Sequence, residues 1–280
     1  MLRRTLLLCL ISCSFSWTAE IRSPAKPDSL RFGVIGDSGT GGRAEYEIGT
    51  QLAKARQTFP FDFVLMLGDN LYGGQKPKDF RDKFELPYKA LLDGGVKFYA
   101  ALGNHDDPNQ RFYKQFNMNG KKYYTFKPRN GIRFFALDSN YMDKPQLDWL
   151  ESELKASGSD WKICFFHHPL YSSGERHGPS LELRGILEPL LIKYGVSLVL
   201  SGHEHFYERI KPQRDIYYFI LGSSAKLREN GIARTDITLK GFARDQTFML
   251  MEIDGDQLNF QTLTRAGTLI DSGTLERPKK

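Results

Sequence analysis

The chain has 280 residues, of which 40% are hydrophobic and 13% are aromatic, and its formal net charge is +6. This composition is sufficient to bury a sizeable core and argues against intrinsic disorder. The basic residues are scattered among acidic ones, which does not favour nucleic-acid binding, although a mild positive excess would attract anionic substrates.

The N-terminal sequence predicts a signal peptide over residues 1–19. Two arginines precede an apolar run from Thr5 to Trp17 that is too short to span a bilayer comfortably, and polar sequence follows it. The stretch Leu10-Ile11-Ser12-Cys13 resembles a bacterial lipobox, which would leave Cys13 as a lipid-modified N-terminus. Ordinary cleavage near Ala19 is the alternative. Both cuts predict a secreted, periplasmic or cell-envelope protein that contacts a membrane only through a lipid at Cys13.

The next part of the chain alternates apolar runs typical of strands with helical periodicity. Leu30–Ile35, Phe61–Leu67 and Lys97–Leu102 predict strands, and Ala44–Phe59 predicts a helix that Pro60 ends. Each of these three strands delivers a polar loop at its end: Gly36-Asp37-Ser38-Gly39, Gly68-Asp69-Asn70 and Gly103-Asn104-His105-Asp106.

The second half continues the same pattern and closes as an antiparallel meander. A hairpin is predicted around Arg129-Asn130-Gly131, and helices over Gln146–Ala156 and Leu181–Tyr194. The remaining predicted strands are Trp161–Phe166, which runs into His167-His168-Pro169; Val196–Leu200, which runs into Ser201-Gly202-His203-Glu204-His205; and Ile216–Leu221, Phe248–Ile253, Leu258–Thr264 and Thr268–Leu275.

These elements predict one layered α/β catalytic domain over residues 30–275, with polar loops gathered at the C-terminal ends of the strands. The antiparallel tail fits a two-sheet sandwich flanked by helices better than a single doubly wound sheet. Cys164 lies in a strand-like run and is expected to be buried packing rather than part of a disulfide framework.

All six histidines lie in or near the strand-end loops, at positions 105, 167, 168, 177, 203 and 205. A lone histidine is usually an ordinary core or surface residue, and a lone Gly-Asp is often an Asx-turn. Six histidines gathered in such loops favour a functional site instead. Carboxylates, imidazoles, an amide and a phenol suit metal ions with mixed nitrogen and oxygen ligands, and their number predicts two ions.

Taken in order, the five loop motifs resemble those of the calcineurin-like metallophosphoesterases, and the resemblance extends from Leu30 to Leu275. Two details narrow it to the small, tartrate-resistant type of purple acid phosphatase. Tyr72 stands three residues after Asp69, where that subfamily supplies a phenolate to ferric iron. The stretch Tyr171–Pro179 resembles the subfamily's histidine loop on the substrate side, with His177 as its key residue.

The resemblance implies a centre of Fe³⁺ with a divalent Fe²⁺, Zn²⁺ or Mn²⁺ ion. Its implied ligands are Asp37, Tyr72 and His205 for the ferric ion, Asn104, His167 and His203 for the divalent ion, and Asp69 as the bridge. His105 and His177 would act as proton donors and phosphate contacts. His168 would either contact substrate or support His167, and we favour support. Asp106 would orient His105 or cap a turn, and Asp138 is expected to be structural.

The implied activity is acid phosphatase chemistry, in which a metal-bound hydroxide hydrolyses phosphate monoesters. The substrates would be small-molecule phosphate esters or phosphoproteins, and we expect a monomer that does not bind nucleic acid. A phosphodiesterase or nucleotidase of the same superfamily is the alternative. A non-catalytic envelope adaptor is a further one, but such a protein would be expected to lack a metal ligand.

Overall fold

The computed structural model describes residues 26–233 and 235–278, so the predicted signal peptide and Cys13 lie outside the described residues. The strands of this part are β1 Leu30–Ile35, β2 Phe63–Met66, β3 Lys97–Ala100, β4 Tyr124–Arg129, β5 Ile132–Ala136, β6 Trp161–Phe166, β7 Leu198–Ser201, β8 Tyr207–Gln213, β9 Ile216–Leu221, β10 Thr238–Phe242, β11 Thr247–Asp254, β12 Gln257–Thr264 and β13 Leu269–Glu276. The α-helices are α1 Arg43–Thr58, α2 Pro77–Phe80, α3 Lys89–Asp93, α4 Lys144–Ala156 and α5 Leu181–Tyr194. None of these helices is long and apolar enough to cross a membrane.

The strands form two sheets. The first has six strands in the order β13-β12-β11-β1-β2-β3, and the second has seven in the order β10-β8-β9-β7-β6-β5-β4. Strands β1, β2 and β3 run parallel, as do β5, β6, β7 and β9, while the remaining neighbours pair antiparallel. The predicted two-sheet sandwich flanked by helices is therefore confirmed.

Aromatic side chains fill the space between the sheets. Phe32 of β1 stacks on Phe63 of β2 with ring centres 5.2 Å apart, and its edge meets Phe134 of β5, also at 5.2 Å. Phe126 of β4 joins the same cluster. Such contacts contribute about 0.5–1.5 kcal/mol per pair beyond the burial of their area. They hold the two sheets together.

Helices cover the outer faces of the sandwich. Helix α1 buries Ile48 and Leu52 in the same apolar cluster as the first sheet. Helices α4 and α5 pack against the second sheet through Leu150 and Leu187, in a separate cluster that also contains Cys164. This cysteine is fully buried, as predicted, and burial raises the pKa of its thiol.

Two strands were not predicted. Strand β8 pairs with β9 through a tight turn at Arg214 and Asp215, whose φ angles are 52° and 62°. Strand β10 then adds to the edge of the second sheet beside β8. The predicted hairpin is present, but β4 extends to Arg129, so that only Asn130 and Gly131 remain as its turn.

Candidate metal centre

The parallel strands of both sheets bring their C-terminal ends to one edge of the sandwich, and the predicted ligands follow these ends. Asp37 follows β1, Asp69 and Tyr72 follow β2, Asn104 follows β3, His167 follows β6, and His203 and His205 follow β7. The structure brings all seven side chains together in two adjoining groups.

The backbone of these loops is specialised. Asp37, Asp69 and His203 have φ angles of 53°, 52° and 69°, in the left-handed region that residues other than glycine rarely adopt. Gly202 leaves no room for a side chain, because an added Cβ would lie 2.5 Å from Asp37 Oδ2. The chain therefore holds the ligand loops in strained and closely packed conformations.

The first group contains Asp37, Tyr72 and His205. The Tyr72 hydroxyl donates a hydrogen bond to Asp37 Oδ1 at 3.1 Å and lies 3.4 Å from His205 Nε2. His205 Nε2 is itself 3.3 Å from Asp37 Oδ1. One oxygen of Asp37, one of Asp69 and one nitrogen of His205 lie within 4.8 Å of one another. This spacing and mixture of donors suit a single ion.

The second group contains Asn104, His167 and His203. Asn104 Oδ1 lies 3.0 Å from His167 Nε2 and 3.1 Å from His203 Nδ1, and the two nitrogens are 3.1 Å apart. His167 Nδ1 lies 2.9 Å from the carbonyl oxygen of Leu67, so this nitrogen carries the proton and Nε2 presents its lone pair to the group. Asp69 Oδ1 is 3.5 Å from His167 Nε2 and therefore adjoins both groups.

The electrostatics of the two groups fit cations. Burial, followed by the neighbouring charge of Asp69, holds the pKa of Asp37 well above its ordinary value. Burial also lowers the pKa of His167 well below its usual range, that of His203 to about 2 and that of His205 to about 4. Carboxylates and neutral imidazole lone pairs thus converge without a compensating charge. A bound cation would supply that charge.

His168 is closer to the centre than we expected from the sequence. Its Nδ1 lies 2.9 Å from the Ser139 hydroxyl, and its ring centre is 4.6 Å from that of His203. One nitrogen from each of His167, His168 and His203 fits within 4.8 Å. His168 is therefore a candidate donor in its own right, held by Ser139, whereas the sequence favoured a role in supporting His167.

The two remaining predicted residues lie at the rim. The exposed ring of His105 is 4.9 Å from the ring of Tyr72, and the ring of His177 is 4.4 Å from that of His203. Arg228 Nη2 lies 3.3 Å from His177 Nε2. Because a guanidinium only donates, this nitrogen accepts and the proton of neutral His177 is on Nδ1. No sequence motif singled out Arg228.

Asp106 and Asp138 support the loops. Asp106 accepts hydrogen bonds from the backbone of Asn70, Leu71 and Gly103, so it ties the loop after β2 to the loop after β3 rather than orienting His105. Burial and the charge of Asp69 raise the pKa of Asp106 to about 7. Asp138 accepts from the backbone and side chain of Asn140, in line with the predicted structural role.

Comparison with known proteins matches a family model described as calcineurin-like phosphoesterase to residues 30–207. Tartrate-resistant acid phosphatase type 5 of Mus musculus is 29% identical over 241 residues, which cover 71% of this chain and 73% of that protein. Two solved structures share the fold. Purple acid phosphatase PPD1 from yellow lupin (Lupinus luteus) has a TM-score of 0.74 at 19% identity, covering 91% of this chain and 55% of that one. GAP50, described as the anchor in the inner membrane complex of Plasmodium, has a TM-score of 0.80 at 21% identity and 90% coverage of both chains.

Proposed function

Because this chain belongs to the calcineurin-like phosphoesterase family, we propose that it is a phosphate monoesterase with a dinuclear centre of the purple acid phosphatase kind. The observation that carries the proposal is the position of the Tyr72 hydroxyl, beside Asp37 Oδ1 and His205 Nε2. A phenol among carboxylate and imidazole donors is a hard oxygen donor suited to Fe³⁺. The imidazole and amide donors of the second group suit Fe²⁺, Zn²⁺ or Mn²⁺.

In this proposal Asp37, Tyr72 and His205 would hold the ferric ion, the second group of Asn104, His167 and His203 would hold the divalent ion, and Asp69, which adjoins both groups, would serve both. When bound, two such ions would supply Lewis acidity, make water more acidic and stabilise charge on a phosphoryl group.

The chain's own residues provide the remaining steps. His177, with its Nε2 occupied by Arg228, offers Nδ1–H as a hydrogen-bond donor to a phosphate oxygen. His105 is exposed beside Tyr72 and is the better placed of the two to give a proton to the leaving alkoxide. The two histidines thus divide the roles that the sequence left shared between them.

Two other functions compete with this one. A phosphodiesterase or nucleotidase would use the same donors, and the difference would lie in the shape of the surrounding loops. A non-catalytic anchor, the role described for GAP50, would not require a complete set of ligands. All seven predicted donors converge in the described part of this chain, which favours catalysis.

The decisive experiment is to purify the protein and to record its metal content, its visible spectrum and its rates on p-nitrophenyl phosphate and bis(p-nitrophenyl) phosphate. We expect iron, a phenolate charge-transfer band and faster hydrolysis of the monoester. Tyr72→Phe should abolish the band, whereas Tyr141→Phe, at a tyrosine that is 71% exposed, should retain it. A colourless wild-type protein that contains only zinc or manganese would exclude the ferric centre. A preference for the bis-ester would exclude the monoesterase.

A further inference from the structure

A loop with two basic side chains lies beside the candidate centre, and apart from the contact of Arg228 with His177 it has no role in the proposed phosphatase activity. It follows β9 and spans Gly222–Arg228. Its backbone is fixed to the ligand loops by three hydrogen bonds: Ser224 N to Gly36 O at 3.0 Å, Lys226 N to Asp37 O at 3.3 Å, and Arg228 N to His205 O at 2.8 Å. Any side chain at positions 226 and 228 therefore starts from a backbone held against the metal ligands.

Lys226 lies against the ring of Tyr72. Its ammonium nitrogen is 4.4 Å from the ring centre, a cation–π distance, and the side chain is only partly buried. Within the described residues it forms no ion pair with a carboxylate. Its contact is with the ring and not with the hydroxyl that faces Asp37, so the charge lies outside the first ligand group.

The guanidinium of Arg228 contacts the buried carboxylate of Glu204. Glu204 is fully buried, its Oε1 accepts a hydrogen bond from Gly178 N at 2.7 Å, and its Oε2 lies 3.4 Å from Arg228 Nη1. The other contact of the guanidinium is with His177 Nε2. An arginine has five N–H donors, so these two contacts among the described residues leave others to bind a ligand. Because His177 is not a predicted metal ligand, this charge also lies outside the ligand groups.

The two positive charges thus border the candidate centre without belonging to it. Both side chains contact residues at the candidate centre, Tyr72 and His177, so they are within reach of a substituent on a phosphate ester bound there. A leaving group that carries its own negative charge would gain from both side chains, because a planar guanidinium and an ammonium are the groups that bind phosphate most often in proteins. A neutral leaving group would make no comparable charge-assisted contact with these side chains.

We propose that Lys226 and Arg228 form a second anion-binding site, which selects phosphate esters whose leaving group carries a further phosphate. This inference rests on the proposed phosphatase function, and it names the substrate class: bisphosphorylated small molecules. One oxyanion of the distal phosphate lies against the Lys226 ammonium and another accepts from the free N–H groups of Arg228.

The test uses a matched pair of ligands that cannot be hydrolysed, propylphosphonate and propane-1,3-bisphosphonate, and calorimetric titration of the metal-loaded protein. We expect the bisphosphonate to bind about tenfold or more tightly than the monophosphonate, the scale of one charge-assisted contact. Lys226→Met should remove most of this advantage, and Lys226→Met combined with Arg228→Gln should remove all of it. Lys54→Met, at an exposed lysine of α1, removes one positive charge elsewhere and should preserve the advantage.

Hydrolysis gives a second readout. The ratio of kcat/KM for fructose 1,6-bisphosphate to that for fructose 6-phosphate should fall about tenfold in Lys226→Met, in parallel with the loss of binding. Arg228 contacts the buried Glu204, so the double variant can fail to fold. In that case the single Lys226→Met variant tests the second site. Equal binding of the two phosphonates to the wild type, or an advantage that is undiminished in Lys226→Met, would overturn the second site.

The two hypotheses fail in different ways. A wild type that binds the bisphosphonate preferentially but does not hydrolyse p-nitrophenyl phosphate would support the second site and refute the phosphatase. A wild type that hydrolyses p-nitrophenyl phosphate and shows no preference between the two fructose phosphates would support the phosphatase and refute the second site.

Discussion

Glu204 offers a sharp test of how the site is held together. Replacing it with alanine leaves the partly buried N–H of Gly178 and the guanidinium of Arg228 without their shared acceptor. A hydrogen bond to a charged acceptor contributes about 1.5–3 kcal/mol. The ion pair adds less than about 1 kcal/mol, because its 3.4 Å contact is near the limit of a hydrogen bond.

One effect opposes this loss. Burial raises the pKa of Glu204, because the charged carboxylate is less well solvated in the fold than in water. Removing the carboxylate therefore removes this desolvation penalty, which offsets part of the lost hydrogen bonding. We therefore expect Glu204→Ala to lower the free energy of unfolding by about 2–3 kcal/mol. Glu204→Gln should cost about 1 kcal/mol, because its amide oxygen still accepts from Gly178 while its NH₂ group faces Arg228.

The assay is urea unfolding of the metal-free wild type and both variants, which separates the packing of the loops from metal binding. Metal-loaded Glu204→Ala should also show a raised KM for p-nitrophenyl phosphate, because both His177 and Arg228 lose a fixed neighbour. An alanine variant within 0.5 kcal/mol of the wild type, about the scatter of a surface substitution, would refute this account of Glu204.

Three further substitutions probe other parts of the molecule. Burial raises the pKa of Glu45 well above its ordinary value, so the contribution of this carboxyl group to the free energy of unfolding falls as the pH rises above about 4.5. Relative to the wild type, Glu45→Gln should therefore gain at least about 1 kcal/mol of stability between pH 4 and pH 7. A difference in thermal unfolding between the two proteins that does not change with pH would contradict this. His105→Gln should slow an alkyl phosphate about 100-fold more than p-nitrophenyl phosphate, whose phenolate leaves without a proton, whereas His177→Gln should slow both alike. Gly202→Ala places a Cβ 2.5 Å from Asp37 Oδ2 and should weaken the retention of metal on dialysis about tenfold or more. Gly185→Ala, whose added Cβ meets open space, should retain metal as the wild type does.

The layout of the site could be predicted because it depends on local patterns. An apolar run followed by Gly-Asp or Gly-Asn-His marks a strand and the loop at its end, and parallel pairing then brings these loops to one edge. Asp37, Asp69 and Asn104 were found in this way. The grouping of His205 with Asp37, and of His203 with His167, follows the division that the family resemblance implied.

The elements that were not predicted depend on tertiary contacts. Strand β8 contains Pro212 and three charged residues, and its pairing with β9 is irregular between Ile210 and Gln213. Its turn uses Arg214 and Asp215 in the left-handed region, where a sequence pattern leads one to expect glycine or asparagine. Strand β10 is a mostly exposed edge strand with little hydrophobic pattern of its own.

The positions of Lys226 and Arg228 could not be predicted for a different reason. Nothing near Lys226 or Arg228 in the sequence resembles a motif, and their proximity to Tyr72 and His177 arises only when β9 is placed beside β7. The Ser139 contact that holds His168 likewise joins loops from β5 and β6.

The loop after β9 is attached to the metal-ligand loops by three main-chain hydrogen bonds and by the Ser224 hydroxyl, which accepts from Gly36 N at 3.1 Å. None of these four bonds uses the side chain at position 226 or 228, because amide and carbonyl groups are the same whatever side chains accompany them. With the second site we propose, substitutions at these two positions would change which leaving groups are accepted while the main-chain contacts to Asp37 and His205 are kept. Substrate preference in this scaffold can therefore diverge one residue at a time, without a stage at which the ion site is lost.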